Sequence, residues 1–108
     1  VHELGGVFIP AHIDRPSNSL TSQLGFVPAD IRADALEISP AVQRDQVKSA
    51  GWAKIRPLIA GSDAHHPDRL GTHMTILKMA NRGLEEFKMA LTGKDNREVF
   101  PQIMMNEV

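Results

Sequence analysis

Short apolar runs, separated by stretches rich in polar residues, proline and glycine, set the pattern of this chain. Val7-Phe8-Ile9-Pro10-Ala11-His12 is almost wholly apolar and predicts a strand buried on both faces. Pro10 pulls that strand toward a sheet edge or a strand end, because proline withholds a ladder donor. Residues 35–39 predict a second strand that stops at Pro40, and residues 58–62 a third that delivers Asp63 at its end. Residues 74–79 read as a fourth strand, although Met and Leu suit a helix equally well. Between these runs, residues 14–18 are turn-rich and residues 19–24 predict one or two helical turns ending at Gly25. Residues 41–50 lack internal glycine or proline and predict a helix with Gly51 as its cap. Residues 84–91 carry apolar positions at the spacing of one helix face, with Gly93 as the stop. Val1-His2-Glu3-Leu4-Gly5-Gly6 reads like a last helical turn stopped by glycine, so the chain is expected to begin in mid-domain.

Strands alternating with helical stretches predict an α/β fold with parallel strands and flanking helices. A closed β/α barrel takes about 250 residues. The 108 residues here, holding three or four strands, are therefore expected to form part of such a barrel or a small open sheet, with one side lacking a neighbour. The exposed edge is expected to pair with another copy. Composition adds exclusions. Twelve basic against thirteen acidic residues leave a net charge of -1, which argues against a nucleic-acid partner. No apolar run approaches a membrane span and no leader pattern is present, so no membrane partner and a cytoplasmic location are expected. There is no cysteine, so a metal could be held only by imidazole nitrogens and carboxylate oxygens.

In parallel β/α folds the working residues gather at the carboxyl ends of strands. His12 ends the first run, Glu37 and Ser39 belong to the second, and Asp63 and His65 follow the third. His12 alone reads more readily as a hydrogen-bonded structural residue than as a ligand. Asp63-Ala64-His65 places a hard oxygen and a borderline nitrogen two residues apart, a donor set for Zn, Mn or Fe. The competing reading makes Ser62 or Asp63 the cap of a following helical turn, with His65-His66 merely exposed. Glu37, inside an apolar strand, needs a partner such as a metal, an arginine or a ligand-holding histidine, unless it faces solvent. Arg15 and Arg69 follow presumed site strands and suit phosphate, but each also has an acid beside it, Asp14 and Asp68. His66 and His73 rank lower, and His2 lies at the wrong end of its run.

Gly5-Gly6-Val7-Phe8-Ile9-Pro10-Ala11-His12 and Gly61-Ser62-Asp63-Ala64-His65 both resemble the later signature motifs of the PHP family, whose name joins polymerase and histidinol phosphatase. Residues 35–39 midway, Leu70-Gly71-Thr72 and the terminal helix follow the family pattern as well. The resemblance covers nearly the whole chain but only the second half of the family domain: residues 1–100 as the C-terminal part of a PHP-like domain and residues 101–108 as a tail. It implies part of a distorted seven-stranded β/α barrel, here incomplete, with a two- or three-metal cluster of divalent ions at the strand ends and water or hydroxide attacking a phosphoester. Position by position it implies His12, Asp63 and His65 as metal ligands. It is compatible with Arg15, His66 and Arg69 near a substrate phosphate and with Glu37 behind a ligand, and it leaves the catalytic residues unassigned. Two departures stand out. Ile13-Asp14-Arg15-Pro16 replaces the proline that often follows the first histidine, and the family's opening His-x-His motif has no match.

Three ligands without their complement do not hold a multimetal cluster. The expectation is thus a chain inactive alone, supplying part of the metal site of a phosphoesterase that acts on a small phosphorylated substrate, completed by the missing N-terminal part of the same domain. The alternative is a non-catalytic PHP-like structural or regulatory module. The upstream sequence separates the two, since an intact His-x-His motif favours chemistry and its loss favours structure.

Overall fold

The computed structural model describes residues 1–14, 27–40, 42 and 44–104. The helical turns expected over residues 19–24, and Arg15, lie outside them. Two small sheets carry the fold. Strand β1 (Leu36–Ile38) pairs in parallel with β2 (Leu58–Ala60), with Leu36 opposite Leu58 and Ile38 opposite Ala60. Strand β3 (Thr75–Lys78) pairs with β4 (Glu98–Pro101) in the antiparallel sense. Parallel strands were expected throughout; the second pair departs from that because β4 returns alongside β3 after the intervening helix. Helix α1 (Arg44–Ser49) and a 3-10 turn (Gly51–Lys54) connect β1 to β2, and helix α2 (Leu84–Thr92) connects β3 to β4. Gly51 therefore opens the next turn instead of capping a longer helix. Gly93, by contrast, stops α2 as expected, in the left-handed conformation at φ 69°.

The core sits where β1 meets α1. Leu36 and Ile38 alternate into it and Glu37 alternates out, as the two-residue period of a strand requires. Ile13, Leu36, Ile38 and Val47 are fully buried, joined by Val27, Ala33, Val42 and Leu58, with Trp52 and Ile103 packed against them. Chain expected as a tail from residue 101 thus begins inside β4, and Ile103 touches the core. Arg56 fixes the approach to β2: its guanidinium donates to the carbonyls of Ala33, Ile55 and Ile31.

Residues 7–12 form no strand, which corrects the first expectation, yet they run beside β1. Asp34 N–H donates to Phe8 O, Glu37 N–H to Pro10 O at 3.1 Å, and Ile13 N–H to Glu37 O at 2.8 Å. In a regular parallel ladder the last donor would be residue 12. The extra residue is absorbed at His12, whose φ of 49° turns the chain out of extension. Across the molecule, the Thr75 hydroxyl bonds both Ala60 N and Ala60 O, at 2.7 and 2.6 Å, and so joins β3 to the free edge of β2.

Candidate functional site

The loops after residues 10 and 60 bring His12 and Asp63 together. His12 Nε2 lies 3.7 Å from Asp63 Oδ2, and His12 Nδ1 lies 3.1 Å from Glu37 Oε1. Glu37 thus flanks one edge of the imidazole and Asp63 the other. The Glu37 carboxylate also accepts the His12 backbone N–H at 3.3 Å. Nδ1 is buried and has no well-aligned hydrogen bond, and the Glu37 carboxylate stands beside it. Both His12 and Asp63 adopt left-handed backbone, at φ 49° and 51°. Such conformations cost about 1–3 kcal/mol each and cluster at functional sites. Two on facing loops form a signal that no sequence pattern carries.

His65 Nδ1 lies 2.8 Å from the Asp63 carbonyl oxygen. A carbonyl only accepts, so Nδ1 carries the proton and the neutral ring keeps its lone pair on Nε2. This is the tautomer a ligating histidine needs, held by the kind of backbone contact that orients such ligands. Neither Ser62 nor Asp63 caps a helix: the following 3-10 turn (Pro67–Arg69) starts after His66 and has no side-chain cap.

Asp63, His65, His66 and Arg69 line one open cleft of about 780 Å³, with Asp14 and His73 on its wall. Asp14 is taken up by the structure, its two oxygens accepting Ser39 N–H and Ser39 Oγ–H at 2.6 Å each. That clamp, which holds the loop after His12 against the end of β1, was not foreseen; the serine closing the predicted strand was the available hint. His2 stands elsewhere, with Nε2 2.7 Å from Asp34 Oδ2. Burial raises the Asp34 carboxyl, but the Phe8 N–H and His2 bonds, with the charges of His2 and Lys88, outweigh it and leave the group below its ordinary value.

Among the described residues, no three His, Asp or Glu side chains form a metal-holding group. The pair His12–Asp63 does fit as two ligands of one ion. Metal–ligand bonds of about 2.0–2.2 Å at a tetrahedral angle separate two donor atoms by roughly 3.4 Å, close to the 3.7 Å found here. His65 lines the same cleft as Asp63, with its Nε2 not engaged by the Asp63 carbonyl.

Residues 48–94, which run from α1 through Asp63, His65 and Arg69 to the end of α2, match a family described as PHP-associated. The similarity spans somewhat less than half of the chain. His12 and Glu37 lie before it. Most of the chain is also similar to the uncharacterized protein YqxK of Bacillus subtilis, 32% identical over 104 residues that cover 92% of this chain and 27% of that protein. The chain thus spans about a quarter of the length of the curated relative it matches. No solved structure matches it. The match to the PHP-associated family includes the Asp63-Ala64-His65 motif, whereas the glycine-glycine motif lies before it. Among the described residues, no helix is long and apolar enough to cross a membrane.

Proposed function

We propose that this chain supplies part of the divalent-metal site of a protein that hydrolyses phosphoesters, within an incomplete (β/α)7 barrel completed by other parts of the same protein. The observation that carries the reading is the approach of His12 Nε2 and Asp63 Oδ2 to 3.7 Å, both residues on left-handed backbone and Asp63 on the wall of the cleft. His12, Asp63 and His65 would hold Zn, Mn or Fe, as part of the two- or three-metal cluster that the family resemblance implies. When bound, such ions lower the pKa of water and neutralise charge on phosphoryl oxygens.

The chain's own residues have distinct parts. Glu37 faces the Nδ1 edge of His12 and fixes the ring so that Nε2 meets Asp63. The Asp63 carbonyl does the same for His65 through Nδ1. Asp14, through Ser39, holds the His12 loop to β1. His66 and Arg69, exposed on the cleft wall, suit the phosphate of a small substrate, the guanidinium by forked hydrogen bonds. A cytoplasmic setting, with neither membrane nor nucleic acid as partner, completes the reading. The test is hydrolysis of an aryl phosphate with added Mn or Zn by the full-length protein. His12→Gly, which removes the imidazole and relieves the left-handed strain, is expected to lower kcat at least about a hundredfold with the circular dichroism unchanged. An unchanged rate contradicts the assignment.

The competing reading, a non-catalytic structural or regulatory module, draws on the comparisons, which describe a PHP-associated family and an uncharacterized relative and name no reaction. Full-length protein that binds no metal would favour it.

A further inference from the structure

Behind the polar cleft lies a second, smaller cavity of about 250 Å³. Its walls include Ala60, Met74 and Ile103, while Ser39, Val42, Thr72 and His73 line both spaces, so the two adjoin along a shared wall. Apart from Met74, which is exposed, these apolar walls are buried or half-buried. His73 marks the boundary. The Thr72 hydroxyl donates to Arg69 O at 2.7 Å, which leaves its oxygen to accept from His73 Nδ1 at 3.2 Å. The imidazole is thereby fixed between the phosphate-suited wall and the apolar pocket.

We infer that this pocket is a specificity subsite for the flat, apolar or aromatic group of a substrate whose phosphate sits in the adjoining cleft. The inference rests on the phosphoester reading above and narrows it to esters with a hydrophobic alcohol portion. An apolar cavity of about 150 Å³ holds one benzene ring; the 250 Å³ here has room for a fused bicyclic ring. The shared wall sets the required geometry, since head and ring must be joined by a short linkage. A substrate with a polar, hydrated alcohol would gain nothing there, because its hydroxyls would leave water for an apolar wall.

The test is calorimetric binding of three probes to the full-length protein: inorganic phosphate, glycerol phosphate and the non-hydrolysable naphthylmethyl phosphonate. The naphthyl compound is expected to bind at least about tenfold more tightly than the other two, the return for burying its ring. Met74→Glu, which places a charge at an exposed pocket wall without touching the core, is expected to erase that advantage and leave phosphate binding as it was. Equal affinity for all three probes, with phosphate bound, overturns the subsite and leaves the phosphoester reading intact. A naphthyl advantage that Met74→Glu leaves in place also overturns it. Failure of every probe to bind removes the phosphoester reading and the subsite with it.

Discussion

His12 and Asp63 are the residues at which backbone and chemistry meet. Each takes a left-handed conformation that its side chain makes costly, and each ends a segment that delivers it to the other. Sequence spacing singled out both, together with His65 and the partner-seeking carboxylate of Glu37. What spacing could not supply was the bulge beside β1 that swings His12 round, since it depends on which carbonyl Ile13 finds. Two outcomes follow at this scale. Asp63→Gly gives up a carboxylate but relieves backbone strain of about 1 kcal/mol, so its melting temperature should stay within a few degrees of the unaltered protein while metal binding falls. A large loss of stability would mean that Asp63 is a structural residue. Glu37→Gln keeps the shape and removes the charge beside Nδ1; metal affinity of the full-length protein should drop roughly 10–100-fold. Unaltered affinity in a metal titration would place Glu37 outside the site.

Elements declared themselves unevenly. Helix α2 and its glycine stop follow from periodicity, and β1, β2 and β3 from apolar runs. The sense of the β3–β4 pair was hidden, because β4 reads Glu98-Val99-Phe100-Pro101, too short and too near a proline to stand out. Its position is secured by Glu86 on α2. That carboxylate takes two parallel bonds from the Arg97 guanidinium, at 3.0 and 2.9 Å, and one from Ala80 N–H at 2.7 Å, tying helix, preceding loop and strand together. The Arg97 bonds first, and the Ala80 N–H second, hold the Glu86 carboxyl below its ordinary value near 4.5. A depressed carboxyl stabilises the fold above its unfolded pKa, and the contribution disappears as pH falls through the folded value. Glu86→Gln should therefore lower the melting temperature at pH 7, and the gap to the unaltered protein should narrow progressively as pH falls below 4.5. A gap that does not narrow at all as pH falls would show that the effect is not electrostatic. In the core between β1 and α1, Ile38→Ala should cost about 2–5 kcal/mol in denaturant unfolding, as its side chain is fully buried.

As a whole molecule, the chain matches 27% of its relative's length. Under the proposed reading, the further ligands and strand partners of a β/α fold would come from segments distant in sequence, which a 108-residue stretch does not display as local patterns. Motif order made the family legible, whereas closure of a barrel was never written locally. Taken alone, the chain presents Leu4 and Leu70 at 94% and 71% exposure, and is expected to self-associate through its apolar surface and open strand edges. Light scattering behind size-exclusion chromatography should give more than the monomer mass; a clean monomer contradicts this. The central claim is the metal site, and elemental analysis tests it most directly. Full-length protein should carry Zn, Mn or Fe, and the Asp63→Ala, His65→Ala double variant, folded by circular dichroism, should lose most of it. Equal metal in both proteins, or none in either, would contradict the account.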